Sequence, residues 1–553
     1  MPNNKHFEFW PRGVPRDLNV PATHLFYNVE VSATRYPDKP FIIYYDSPLS
    51  FSAFRDQVET LAGVLQQRGV RKGDRVLLVM QNSPQFAIAY YAVIRADAIV
   101  VPVSPMSVTA ELEHYIGDSG ARIALIAQEI YPQLRPLLGE LIDHAIVAAY
   151  SDYATQPTTL RVPEAVSAPR ATFDDSRVEL WSDAMQSAAR PTPMTSGPND
   201  LCVIPYSSGT TGRPKGCMLT HANVMHTLVS NRIWFGASPH TTQLCVLPFF
   251  HVTSMQGGLN GPVYDGSTVI LMCRWDRETA AELIQRYRPV SWTAIATMVI
   301  DFLANPRLSE YDLSSLVQVN GGGAAMPAAV GERLQQMTGA PYVEGYGLTE
   351  TIAPTHINPL DRPKRQCLGV PIFNTDSRIV DPDTLTELPA NSVGEIVTSG
   401  PQVFQGYWRN EEATRGAFIE IDGKRFFRTG DLGYVDDEGY FFLVDRLKRM
   451  INASGFKVWP AEVEAQMYRH PAIQEACVIA ARDAHRGETV KALVVLRATH
   501  KGSLTEQDII DWTRQQMAAY KHPRIVQFVD SLPKSATGKV QWRLLQEAEF
   551  AGN

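Results

Sequence analysis

Tyr206–Gly216 reads YSSGTTGRPKG: five hydroxyl side chains, three glycines, one proline and a single lysine, with no carboxylate and no large aliphatic residue. Gly209 and Gly212 free the backbone for turns that other residues resist, and closely spaced turns aim several N–H groups at one point, where an anion can sit. Ser207, Ser208, Thr210 and Thr211 add hydroxyl donors, and Lys215 adds a positive charge. The apolar strand signal LCVIPY precedes the loop and the helix signal HANVMHTLVSNR follows it. A strand, a phosphate-type loop and a helix in that order belong to an α/β fold. A mobile Ser/Gly linker is the plain alternative, and the flanking elements count against it. The loop is not the ATPase P-loop G-x-x-x-x-G-K-[ST], because Lys215 follows Pro214 and precedes Gly216.

Working outward, the N-terminal part alternates helix and strand signals. FSAFRDQVETLAGVLQQRG sets Phe54, Val58, Leu61 and Leu65 on one helical face and stops at Gly69. RVLLVM (75–80) then reads as a strand, PQFAIAYYAVIRA as a helix, AIVVPVS as a strand, and RIALIA (122–127) as another strand after a third helix. That rhythm predicts a parallel sheet covered on both faces. Phe86–Val103 is the most apolar run, but it contains Arg95 and Asp97 and reads as a buried strand–helix–strand run rather than a membrane span. The segment 152–200, rich in Ala, Pro, Ser and Thr, is expected to be a surface excursion.

At 553 residues the chain exceeds one ordinary core, so two or more domains are expected. The net charge of −7 argues against a nucleic-acid binder. From Arg446 onward there are 16 Lys and Arg against 11 Asp and Glu, while the preceding part has 35 against 47; a small basic part beside an acidic body suits an anionic ligand. The texture changes near DRLKR, giving an expected boundary between domains 1–445 and 446–553. The six cysteines form no CxxC pair, so neither a zinc site nor a disulfide framework is indicated. The start has no apolar core of signal-peptide length and the end has no lipidation or peroxisomal signal, which together predict a cytoplasmic location.

YSSGTTGRPKG resembles the phosphate loop of the adenylate-forming superfamily, which includes acyl- and aryl-CoA synthetases, peptide-synthetase adenylation domains and beetle luciferases. GYGLTE (345–350), FRTGDLGYVDDEGYFFLVDRLKRMINASGFKVWPAEVE (427–464) and LPKSATGKVQ (532–541) follow in the family's order. The resemblance implies an α/β fold with a large N-terminal domain of doubly wound sheets plus a distorted barrel, and a small mobile α+β C-terminal domain. It also implies a two-step reaction with ATP, Mg²⁺ and CoA: a carboxylate attacks the α-phosphate, and a thiol then displaces AMP. By resemblance, Ser207, Ser208, Gly209, Thr210, Thr211 and Lys215 cradle the β- and γ-phosphates. Glu350 holds the metal, and Thr349 hydrogen-bonds the α-phosphate. Tyr346 stacks on adenine, with Gly323 and Ala324 of GGGAAMP and the neighbouring Glu344 and Gly345 close to the nucleotide. Asp431 takes the ribose hydroxyls, aided by Arg446, and Lys539 neutralises the carboxylate and α-phosphate. Lys448 matches a hinge, Gly455 a position that leaves room for the pantetheine arm, and Arg274 a contact to the CoA nucleotide.

Amino-acid-activating relatives carry an aspartate where LPFFHVTSMQGG places His251, so a small-molecule carboxylic acid without an ammonium group is expected. His251 joins Lys539, Thr349 and Glu350 as a catalytic candidate, and with Thr253, Met255, Gly257 and Gly258 it is expected to line the acyl entrance. A medium- to long-chain fatty acid is the favoured substrate; an aryl acid and a non-catalytic acyl-AMP-binding protein are the alternatives. No nucleic acid and no integral membrane segment are expected. Peripheral membrane contact and either a monomer or a homodimer remain compatible.

Overall fold

In the computed structural model, which describes residues 4–207, 213–323, 326–453, 456–483, 487–535 and 539–551, the alternating signals become the expected elements. The helix Phe51–Gln67 buries Phe54, Val58, Leu61 and Leu65, starts at Ser50, whose hydroxyl accepts the Ala53 N–H, and gives way to Gly69 at φ +91°. Strands Arg75–Val79, Ile99–Pro102, Ile123–Ala127 and His144–Ala148 pair in parallel. They form the centre of a seven-stranded sheet completed by Leu219–Thr220, Leu201–Val203 and Val178–Leu180. Helix Pro84–Arg95 is buried almost throughout, packed against helix Phe51–Gln67 and strands Arg75–Val79 and Ile99–Pro102. Among the described residues, no helix is long and apolar enough to cross a membrane.

Segment 152–200 differs in part from its surface reading. It contributes the edge strand Val178–Leu180, parallel to His144–Ala148, and buries Val166 and Trp181. Scattered apolar anchors in a polar stretch are too sparse to show as periodicity. LCVIPY is likewise not one strand, since Leu201–Val203 and Tyr206–Ser207 lie in different sheets; Pro205, which cannot donate to a ladder, stands in the break between them.

A second sheet of nine strands runs Val370–Pro371, His356–Ile357, Tyr342–Tyr346, Gln318–Gly322, Ser291–Thr293, Thr242–Cys245, Thr268–Leu271, Pro40–Tyr44 and Ser47–Ser50. The central strands, Tyr342–Tyr346 through Pro40–Tyr44, pair in parallel, and the outer pairs are antiparallel. One continuous apolar core underlies both large sheets.

The chain divides into two compact units: residues 1–376 with 398–427, and residues 377–397 with 428–553. This division does not fall at Asp445, because the strand pair joined by the turn at Asp436 belongs with the C-terminal residues. The fold is thus mixed α/β with large sheets and a separate C-terminal domain. That domain packs helices Pro460–Met467 and Glu506–Gln516 over a sheet of Phe456–Val458, Ile451–Ala453, Gly487–Leu496, Ile473–Asp483 and Ile525–Phe528, around its own apolar core.

Candidate active site

The described ends of the quoted loop are a short antiparallel pair with Lys215 opposite Ser207 and Gly216 opposite Tyr206. Ser208, Gly209, Thr210 and Thr211 lie outside the described residues, as do Ala324 and Gly455. The Ser207 hydroxyl is buried beside the Cys217 thiol and, among the described residues, has no hydrogen-bond partner at ordinary geometry. A buried orphan donor at the mouth of such a loop fits a phosphate oxygen as its missing acceptor.

Glu350 stands on the turn Thr349–Thr351, held at its start by the Leu348 N–H donating to the Thr351 hydroxyl at 3.0 Å. Glu350 as a residue is 7% exposed, and its Oε1 accepts the Tyr407 hydroxyl at 3.0 Å. The ring of Tyr407 lies beneath the Lys215 ammonium, 5.0 Å from ring centroid to Nζ. Burial and the Glu350 carboxylate push the Tyr407 hydroxyl well up, so it stays protonated and donates. Loop lysine and acidic residue are thereby drawn together through a tyrosine that sequence reasoning passed over. Its only sequence signal is an aromatic after a glycine in QGYW, 57 positions beyond Glu350.

Magnesium is implied by the resemblance. One buried carboxylate with a hard oxygen suits an ion that takes most of its ligands from phosphates and water. Among the described residues no group of three or more acidic, histidine or cysteine side chains could hold a metal by itself. The Glu350 carboxylate thus fits the part of a single protein ligand to such an ion.

Tyr346 ends its strand opposite His356, the rings 5.6 Å apart, and is nearly buried. In the GGG run the glycines serve different ends. A Cβ on Gly321 would fall 1.9 Å from the Ala294 carbonyl oxygen, and one on Gly322 would fall 2.2 Å from that of Gly345. These two residues permit close strand pairing, whereas Gly323 turns the chain at φ +84°. Glu344 is 8% exposed and spends its carboxylate on backbone: Oε1 accepts the Met326 N–H at 2.7 Å and Oε2 the Cys367 N–H at 3.0 Å. Burial raises its pKa against those hydrogen bonds.

His251 caps a short helical turn, its Nδ1 accepting the Thr253 N–H at 3.4 Å. Behind it, Met255–Asn260 forms a π-helical turn, a geometry often found at functional sites. Met255 is fully buried in the core. Gly257 and Gly258 differ sharply: a Cβ on Gly257 meets nothing within 4 Å, while one on Gly258 would press on Cys245 Sγ at 2.5 Å and Ser254 Oγ at 2.9 Å. Arg274 is exposed, beyond the end of strand Thr268–Leu271, and its charge pulls down the pKa that burial raises on Glu129.

The second unit gathers Asp431, Arg446 and Lys539. Asp431 and Arg446 face each other across antiparallel strands and form an ion pair at 3.0 Å, with Asp431 2% exposed. The strand residues ahead of Asp431 are tied down, since Glu395 accepts the Gly430 N–H at 3.1 Å and pairs with Arg428 at 2.5 Å. The Thr429 hydroxyl donates to the Ile396 carbonyl at 2.6 Å and accepts the Asp431 N–H at 3.1 Å. Lys539 has its pKa lowered by desolvation and by Arg446, against the upward pull of Asp431. Lys448 lies on the turn Leu447–Arg449. On either side of it, Asp445 accepts the Ala461 N–H at 2.7 Å and Arg449 pairs with Glu464 at 2.5 Å.

Residues 29–408 match the AMP-binding enzyme family, and residues 462–539 match the AMP-binding enzyme C-terminal domain. Over 549 residues the chain is 34% identical to a long-chain-fatty-acid–CoA ligase of Bacillus subtilis (strain 168), covering 98% of this chain and 97% of that one. Over 528 residues it is 31% identical to 4-coumarate–CoA ligase 2 of Oryza sativa subsp. japonica, covering 93% and 90%. Among solved structures it is similar to an anthranilate CoA ligase in complex with anthranoyl-AMP, with a TM-score of 0.84 and 26% identity over 97% of this chain and 99% of that one. ATP-bound MatB from Rhodopseudomonas palustris gives 0.80 and 26%, over 95% and 100%.

Proposed function

The chain belongs to the AMP-binding enzyme family and is an AMP-forming acid–CoA ligase, and from that premise we propose that its acid is a medium- to long-chain fatty acid. A carboxylate cannot expel hydroxide at neutral pH. Attack of one carboxylate oxygen on the α-phosphorus of ATP releases pyrophosphate and leaves an acyl-AMP, from which the CoA thiol expels AMP. The first step concentrates negative charge on phosphates and calls for fixed donors and cations.

In this reading the orphan Ser207 hydroxyl and Lys215, with the rest of the loop, hold the β- and γ-phosphates, while Thr349 donates to the α-phosphate. Tyr346 stacks on adenine. Asp431 accepts the ribose hydroxyls, its orientation set by Arg446 and the Glu395-anchored strand residues 428–430. Lys539 meets the carboxylate and α-phosphate. Glu350 would hold Mg²⁺, which when bound offsets phosphate charge. Thioester formation then requires Lys539 to leave, with Lys448 as hinge, Gly455 admitting the pantetheine arm and Arg274 meeting the CoA nucleotide. Glu344 acts behind the nucleotide by fixing residues 326 and 367 through their N–H groups.

The observation that carries the fatty-acid reading is Gly257. A glycine facing open space, on a π-turn behind His251, leaves width for a chain to pass where a side chain would stop it. The test is pyrophosphate release from ATP and Mg²⁺ with a panel of acids, with and without CoA. Release with octanoate to palmitate, and CoA-dependent thioester, is expected. Release with cinnamates but not with fatty acids would replace the reading with an aryl ligase, and no release with any acid would favour a non-catalytic acyl-AMP-binding protein.

A further inference from the structure

We infer that Tyr407 is a positioning residue of the adenylation step, one side chain that sets both the metal-binding carboxylate Glu350 and the phosphate-binding Lys215. The inference rests on the ligase reading above. It comes from two contacts made by opposite chemical features of the same ring. The hydroxyl donates to Glu350 Oε1 at 3.0 Å, and the π face lies 5.0 Å from the Lys215 ammonium. Glu350 and Lys215 carry opposite charges and would otherwise be free to collapse onto each other; a neutral ring between them holds each near phosphate without direct neutralisation.

Tyr407 is itself well fixed. Its N–H donates to the Thr414 hydroxyl at 2.9 Å, it forms a β-bridge with Cys217, and its ring packs edge-on against Phe404 at 4.9 Å. The flanking backbone runs alongside the exit of the loop. Met218 N–H donates to the Gly406 carbonyl at 3.0 Å, Gln405 N–H to the Met218 carbonyl at 2.9 Å, and Trp408 N–H to the Gly216 carbonyl at 2.8 Å. Phe404 N–H meanwhile donates to the Glu350 carbonyl at 2.8 Å. Residues 404–408 thus clip the loop and the acidic turn together, and Tyr407 is the member of the clip whose side chain reaches both functional groups.

The two contacts can be separated in the full-length protein. Tyr407→Phe keeps the ring under Lys215 and deletes the bond to Glu350, while Tyr407→Leu deletes both. Binding of Mg²⁺–ATP, of ATP in chelator and of AMP is measured calorimetrically for each, with thermal unfolding as the folding control. Tyr407→Phe is expected to weaken Mg²⁺–ATP by about tenfold, the scale of one hydrogen bond to a charged group, with AMP and metal-free ATP changed less than about twofold. Tyr407→Leu is expected to weaken metal-free ATP as well, and still to spare AMP, which lacks the β- and γ-phosphates. Wild-type-like Mg²⁺–ATP binding by Tyr407→Phe, or AMP affinity falling in step with ATP, overturns the inference while leaving the ligase reading intact. Failure of the wild-type chain to bind Mg²⁺–ATP overturns both.

Discussion

Replacing Gly257 by leucine tests the acyl site where its structure is most specific. The Cβ at this position meets nothing within 4 Å, so the backbone should accept the side chain without strain. The turn is also pinned from outside the glycine, by Gln243 Nε2 donating to the Gly257 carbonyl at 2.8 Å. A leucine reaches far enough to displace about three methylenes of a chain lying there. At about 0.8 kcal/mol per buried methylene, that costs about 2.4 kcal/mol, or roughly 60-fold in kcat/KM, for acids long enough to occupy the space. Acids that end before it should be unaffected. Pyrophosphate release is measured for the even-numbered saturated acids from C8 to C18 with wild type, Gly257→Leu and Gly258→Ala. The expected signature is a break in the length series for Gly257→Leu alone. Gly258→Ala should instead lose stability, by about 1–3 kcal/mol, because its methyl would press on the Cys245 thiol and Ser254 hydroxyl. A uniform fall at all chain lengths, or no change at any, would refute the placement of Gly257 beside the acyl chain.

Three further outcomes are expected. Lys539→Ala should slow acyl-AMP formation by at least about 100-fold yet spare thioester formation from supplied acyl-AMP; equal loss in both half-reactions, measured separately by rapid quench, would remove the hinge assignment. Glu344→Gln should destabilise the first unit by about 1–3 kcal/mol in urea unfolding, since an amide has one acceptor oxygen for the Met326 and Cys367 N–H groups and leaves one buried donor unmade; an unchanged midpoint would count against this. Burial pushes His221 and His226 down to about 4 and His356 to about 3, so the unfolded chain takes up their protons first as pH falls below 6.5. Stability is therefore full above pH 6.5 and is lost on acidification, by about 2 kcal/mol per histidine at pH 5, and a denaturation midpoint that stays flat from pH 7 to 5 would contradict it.

Much of this was legible in the chain itself. Period 3.6 in residues 51–67 and the apolar runs at 75–79, 99–102 and 123–127 are local properties, and each element formed where its own residues favour it. The loop at 206–216 could be read as an anion loop because its turn-forming and donor residues lie close together in the sequence. The GGG run, by contrast, reads as a single flexible turn in sequence; only the pairing of its strand between Ser291–Thr293 and Tyr342–Tyr346 shows that two glycines make room for neighbouring carbonyls and one makes the turn.

Residue types and short spacings therefore determined the fold class and the order of its elements. Which side chains hold one another in place was decided by tertiary structure. Glu344 reaches the N–H groups of Met326 and Cys367, Arg446 meets Asp431 through strand register, and Tyr407 joins Lys215 to Glu350. The physical reason is range. Backbone preference and hydrophobic period act over a few residues and leave a mark there, whereas a hydrogen bond, ion pair or cation–π contact across 15 to 192 positions exists only after the packing of whole sheets has chosen which segments lie side by side.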